Sequence, residues 1–430
     1  MRRASHPPVR HFGVVTLVAA LYASLLWPVE AHATGIAWID QFGTRYPDEA
    51  DGVAADPAGY IYVVGQTSGE LPGQKSAGMI DAFVRKVDPA GNEVWTRQFG
   101  SNERDEPKGV TLDDAGNVYI VGRTFGTLPG QTSAGGWDAF IRKYNPAGDE
   151  VWTRQFGGGG AESAASVRVD HAGNAYVVGG TRAALPGQKN IGDYDAFIVK
   201  FDPAGNTVWV RQFGTTHEDY ALAVALDADG DPIVAGETGG LLAGAAQFGG
   251  LDGFVREYNP DGAVLWTRQF GSPLDDYAVG VAVSPAGDVL VAGTTLGALP
   301  GHTSKGDSDA YIVAFRSRGG DLWQSQFGTT GADDAEAITF DATGHAFVAG
   351  RVGAALPGAT SGGRSDAFLA AVSPFGEILW ARQFGGPADD YAMALAIGRG
   401  GFYLAGGTTV ALPGQKNLGQ RDAFVVKLSS

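Results

Sequence analysis

The sequence predicts an all-β fold, a seven-bladed β-propeller with four antiparallel strands per blade. Three observations predict it. Seven tryptophans (Trp38, Trp95, Trp152, Trp209, Trp266, Trp323 and Trp380) stand 57 residues apart, and each opens a W-x-x-Q-F-G phrase. A fixed period of that size marks a repeat architecture. Each period also holds four short runs rich in β-branched and aromatic residues, punctuated by Gly, Pro, Asn and Asp, which read as strands and turns.

The copy that starts at Gly109 gives the elements in order. "GVTLDDAG" is the first strand, ending in a turn, and "NVYIVGRT" is the second. The long loop "FGTLPGQTSAGGW" follows. "DAFIRKYNPAG" is the third strand with its Pro-x-Gly turn, and "DEVWTRQFG" is the fourth. Four strands per unit, repeated seven times, describe a propeller. The ends of the chain fit ring closure. Residues 36–43, "IAWIDQFG", are a fourth strand without predecessors, and residues 422–428, "DAFVVKL", are a third strand without a successor. The N-terminal strand is therefore expected to complete the last blade. A linear solenoid would need polar capping repeats, and the sequence has none. The Trp and Phe of each phrase are expected to pack between neighbouring blades.

Residues 34–430 thus read as a single propeller domain. Residues 1–33 differ. Arg2, Arg3 and Arg10 precede the uncharged run Phe12–Trp27, and Ala31-His32-Ala33 is a small-x-small site. This is the pattern of a secretory signal peptide, so the protein is expected to be exported: periplasmic, secreted or at the cell surface. No later run is apolar enough to span a bilayer as a helix. With 31 basic and 47 acidic residues the net charge is −16, which argues against a nucleic-acid partner. The absence of Cys excludes disulfides, thiolate metal sites and thiol nucleophiles. A monomer is expected.

The succession W-x-x-Q-F-G, D-x-x-G-N-x-Y-V-x-G-x-T and D-A-F-V-x-K-x-D-P-x-G-N resembles the SBBP (seven-bladed β-propeller) repeat family over residues 36–430. The resemblance implies the propeller fold and an exported bacterial protein. It implies no single enzymatic activity. Copy four departs most, since its loop "GGLLAGAAQFGGLDGF" lacks Leu-Pro-Gly-Gln.

Turns alternate between the two ends of each blade. One face carries tight turns such as "DPAG" and "SPFG", where Pro and Gly serve the turn itself. The other carries the second-to-third loops of about 13 residues, and long loops on a rigid scaffold are where binding concentrates. The working surface is expected there, around the channel mouth.

Polar columns converge toward that mouth. An acidic ring precedes the innermost strands: Asp48, Asp105, Glu162, Asp219, Asp276, Asp333 and Asp390. A second column opens the third strands: Asp81, Asp138, Asp195, Asp252, Asp309, Asp366 and Asp422. Thr67, Thr124, Thr181, Thr238, Thr295 and Thr408 end the second strands, with Val352 in the sixth copy. These residues read first as fasteners, accepting N–H groups of their own loops or the neighbouring Thr hydroxyl. Alternatively, the ring binds cations, and Ca²⁺ would suit an all-oxygen site.

Columns that vary between copies suit specificity better. Trp137 and Tyr194 share one such column, and Tyr220, Tyr277 and Tyr391 another. Such rings stack on sugars or hold cationic groups, or they pack over loop glycines. "DADGD" (227–231) spaces three Asp like the start of a Ca²⁺ loop. It lacks the downstream Glu and sits in a tight turn. The His217-Glu218-Asp219 patch is a local asymmetry. No G-x-S-x-G elbow or phosphate loop appears. The first functional reading is a non-catalytic scaffold that presents its loop face to a glycan, a peptide or a surface protein. The alternative is a hydrolase or lyase with a carboxylate or metal site at the channel mouth.

Overall fold

Among the described residues, twenty-eight strands form seven four-stranded antiparallel sheets. The structure, a computed structural model, describes residues 35–242 and 244–429. The leader read in residues 1–33 lies outside them. Among the described residues there is no helix, and none is long and apolar enough to cross a membrane.

The first blade comprises Asp48–Ala55, Ile61–Thr67, Asp81–Val87 and Glu93–Phe99. Five further blades repeat that order along the chain. The seventh takes Asp390–Gly398, Gly401–Thr408 and Asp422–Leu428 from the C-terminal end, and Ile36–Phe42 from the N-terminal end as its outermost strand. Pairing runs antiparallel from Ile36 opposite Leu428 to Phe42 opposite Ala423. Closure leaves no gap between first and last blades, and so no unprotected pair of inner edges. The central two strands of each blade are almost wholly buried, and their Val, Ile, Phe and Tyr side chains fill the spaces between successive sheets.

The recurring phrases are parts of one fastener. In blade one the Gln98 side-chain amide donates to Asp81 Oδ2 at 2.7 Å and to the Gly69 carbonyl at 2.8 Å. Its carbonyl oxygen accepts the Leu71 N–H at 3.0 Å, and its backbone N–H donates to Gln74 Oε1 at 3.0 Å. The Gln of Q-F-G, the Leu and Gln of L-P-G-Q and the Asp of D-A-F therefore pin the long loop to the two outer strands. Copy four keeps this arrangement without the second Gln: Gln269 reaches Asp252 at 2.7 Å and accepts the Leu242 N–H at 3.1 Å.

The aromatic residues of the phrase work between blades. The Trp95 indole N–H donates to the Pro146 carbonyl of blade two at 3.4 Å. Its ring lies over Gly148, where a Cβ would come within 2.9 Å of the indole and φ is +83°, so glycine is required twice over. Phe99 meets Phe140 of blade two edge to face, with centroids 6.0 Å apart.

Candidate functional site

Each innermost strand carries a β-bulge three residues after its ring carboxylate. In blade one the register shifts between Ala50 and Gly52, and in blade four between Ala221 and Ala223. The other five blades do the same. A bulge leaves one residue unpaired and re-aims it. The seven bulged residues (Asp51, Lys108, Ala165, Leu222, Val279, Glu336 and Met393) all line a central cavity of about 570 Å³. Two acids, one cation and four apolar residues replace the uniformity seen elsewhere in the repeat. Sequence reasoning passed over this column, although its variability within a monotonous strand was the available signal.

The polar side of the cavity is strongly perturbed. Lys108 Nζ lies 3.5 Å from Asp51 Oδ1, and the Asp51 side chain is only 6% exposed. Asp51 Oδ2 has no hydrogen-bond partner. Burial pushes the Asp51 carboxyl up to about 7, with Lys108 opposing and Glu49 adding to the rise. Burial likewise raises Glu336 to about 7, with the nearby Asp334 adding to it. Arg168, near the tight-turn end of its strand and opposite Tyr176, also lines the cavity and donates to its neighbour's carbonyl, Val167 O, at 2.9 Å.

Three of the five predicted aromatics line this cavity: Trp137, Tyr194 and Tyr220. Each is half-buried. The Arg123 guanidinium stands 4.3 Å from the Trp137 ring centre and is itself held by Glu106 at 2.7 Å. Arg182 stands 4.4 Å from the Tyr194 ring, and the Tyr194 and Tyr220 rings lie 4.5 Å apart, tilted by 35°. Arginine packing on one side fixes these rings in place. Tyr277 and Tyr391 do not line the cavity. The Tyr277 backbone carbonyl accepts the Tyr311 hydroxyl at 3.0 Å, and Tyr391 donates to Glu49 Oε1 beneath Arg421.

The acidic ring lies in the seams between blades, with each member at most 1% exposed. Glu162 is the member that also lines the cavity. One carboxylate oxygen of each accepts a backbone N–H from the loop before it: Thr215 to Asp219 at 2.6 Å, Ser272 to Asp276 at 2.6 Å and Gly158 to Glu162 at 2.9 Å. Thr181 donates to the other oxygen of Glu162 at 3.0 Å, and Thr238 does the same for Asp219. The third-strand Asp column faces the ring across the glycine of Q-F-G. A Cβ on Gly100 would stand 2.6 Å from both Asp105 Oδ2 and Asp81 Oδ1. Burial raises every ring carboxyl, and the facing Asp adds to it; Asp276 reaches about 6. The His217-Glu218-Asp219 patch does not assemble. Asp219 is buried and held by Thr215 and Thr238, whereas His217 is exposed beside Thr216.

The SBBP family model, a beta-propeller repeat, matches residues 37–72, 94–128 and 265–300. The regulatory protein FlaEY of Caulobacter vibrioides is 24% identical over 382 residues, which is 84% of this chain. The chain spans 36% of that relative's length. Among solved structures, the Pan2 WD40 domain of Neurospora crassa superposes with a TM-score of 0.52 at 10% identity, covering 92% of this chain and 97% of that one. The polysaccharide lyase Uly1 superposes with a TM-score of 0.50 at 10% identity, covering 88% and 89%. At such identities these likenesses concern the fold alone.

Proposed function

We propose that this chain, a seven-bladed propeller built of SBBP beta-propeller repeats, is a non-catalytic binding scaffold that takes a glycan at the mouth of its central channel. The observation that carries this reading is the cluster of Trp137, Tyr194 and Tyr220. Three aromatic rings from consecutive blades stand on the wall of one cavity, Trp137 and Tyr194 each steadied by an arginine and Tyr220 by the Tyr194 ring. Flat aromatic faces beside charged hydrogen-bonding groups suit sugar rings, and the cavity volume suits a short oligosaccharide. Lys108 and Arg123 of blade two line the same cavity near Trp137, which favours a sugar bearing a carboxylate. The export-signal pattern of residues 1–33 supports this reading, since it agrees with a scaffold that meets glycans outside the cytoplasm.

The test is a glycan-array screen of the full chain, followed by calorimetric titration with uronic-acid oligosaccharides. Saturable binding that Trp137→Ala and Tyr220→Ala abolish supports the reading. Binding of peptides alone, or glycan binding indifferent to both variants, removes it.

A second reading, a hydrolase or lyase acting in the channel, rests on Asp51. Its carboxyl is buried, carries one unpartnered oxygen and titrates near 7 beside Lys108, as a general acid or base requires. Turnover of a bound glycan that Asp51→Asn stops would favour it over the scaffold.

A further inference from the structure

On the tight-turn face, opposite the channel mouth, blade four alone gathers three carboxylates where blades two and three place one carboxylate and its donors. In blade two, Asp113 Oδ2 at the first turn collects three donors. These are the Asn117 side-chain amide at 2.7 Å, the Tyr119 hydroxyl at 3.2 Å and the Lys143 ammonium at 3.4 Å. Blade three repeats the first two, with Asn174 at 2.8 Å and Tyr176 at 3.3 Å from Asp170 Oδ2. The equivalent positions in blade four are Asp227, Asp231, Ile233 and Glu257. All three donors are gone, and carboxylates replace two of them. A cluster with no net charge has become one with three negative charges.

Asp227 Oδ1 still accepts the N–H groups of Asp229 and Asp231, at 2.9 and 2.8 Å, so its turn is intact. One carboxylate oxygen from each of Asp227, Asp231 and Glu257 lies within 4.8 Å of the others. Glu257 is only 4% exposed, and its Oε2 has no hydrogen-bond partner. A buried, unpartnered carboxylate aimed at two others is costly unless a cation joins it. Oxygens grouped this closely can share one hard cation, and Ca²⁺, which accepts irregular all-oxygen coordination, suits three carboxylates better than Mg²⁺, which demands near-ideal octahedral geometry.

We infer that Asp227, Asp231 and Glu257 form a Ca²⁺ site, in which the ion occupies the place that the lysine ammonium holds in blade two. The "DADGD" turn lacks the downstream Glu of a Ca²⁺ loop in sequence, but the third strand of the same blade supplies one across the sheet. The site is independent of the channel-mouth ligand.

The test is Tb³⁺ titration of the full chain, with indole-sensitised emission as readout. Trp266 pairs with Glu257 in the sheet and stands close enough to sensitise a bound ion. Calorimetry with Ca²⁺ runs in parallel. The expected result is one saturable ion per chain, with Ca²⁺ displacing Tb³⁺ emission. Glu257→Lys installs the residue that four blades carry at this position, so it is expected to fold and to lose the emission, with an undiminished Tm in EDTA. Asp231→Asn is expected to weaken binding at least tenfold. No stoichiometric binding at millimolar Ca²⁺, or binding unchanged in a folded Glu257→Lys chain, would overturn the inference.

Discussion

Gln41 donates its side-chain amide to Asp422 Oδ2 at 2.7 Å, across 381 residues of chain. The same side chain accepts the Leu412 N–H at 2.9 Å and donates to the Val410 carbonyl at 3.0 Å. Six blades use the equivalent glutamine locally, whereas the seventh uses it to join the two ends of the ring. Removing it takes from the buried Asp422 carboxylate one of its two donors, the other being the Leu418 N–H at 2.8 Å. Gln41→Ala is therefore expected to destabilise the fold by about 2 kcal/mol, measured by urea denaturation. Gln98→Ala should cost a similar amount, because the broken contacts are the same. A neutral Gln41→Ala would mean the ring does not depend on this fastener.

Gly100 separates two buried carboxylates at the seam of blades one and two. Gly100→Ala places a methyl group 2.6 Å from each and forces one of them away. The expected loss is about 2–4 kcal/mol, comparable to overpacking a core together with disturbing a buried polar network. Thermal unfolding reads it directly. An unshifted Tm would show that the two carboxylate columns are not held in this arrangement.

The pH dependence has a definite sign. Asp51, Glu237, Glu257 and Glu336 rise to about 7 and Asp276 to about 6, all chiefly by burial. Their folded values exceed the unfolded ones, so the folded state binds more protons between them. The stability they contribute is full below about pH 4 and is lost as pH rises through 6 to 7. In EDTA, the Tm is expected to be higher at pH 5 than at pH 8. Asp51→Asn should flatten part of that slope, and a Tm that instead rose steadily toward pH 8 would contradict the burial of these groups.

The fold was legible because its signals repeat. A Trp every 57 residues, with a fourth strand at the start and a missing one at the end, predicts both the blade count and the closure seen in the pairing of Ile36–Phe42 with Asp422–Leu428. Pairing partners within a repeat need no long-range information. The cavity wall was less legible for the opposite reason. Asp51 meets Lys108 only across the seam between two blades, and the bulge that aims them inward leaves no residue signature. Repetition also hid the blade-four triad, because Glu257 becomes notable only when set beside Lys143 and Asn117 on the same face. Among the aromatics, column position alone did not separate Tyr220, on the cavity wall, from Tyr277 and Tyr391, outside it.

Within the cavity, Lys108 lies 3.9 Å from Glu106, the acid that also holds Arg123 against Trp137, and so adds positive charge beside the aromatic cluster. If the ligand bears a carboxylate, Lys108→Gln should weaken binding by about tenfold, the value of one modest charged hydrogen bond. The loss should shrink as salt is raised. Neutral oligosaccharides should bind both proteins alike; an equal loss for neutral and acidic sugars would remove the charge argument.

The most direct measurement of the central claim is the dissociation constant of the full chain for an acidic oligosaccharide, beside the same titration for Tyr220→Ala. The wild-type chain is expected to bind saturably. The variant should bind at least tenfold more weakly with a little-changed Tm, since Tyr220 is half-buried on the cavity wall, where its ring lies over Gly180 and beside Tyr194. Equal affinity in the two proteins would contradict a glycan site at the channel mouth.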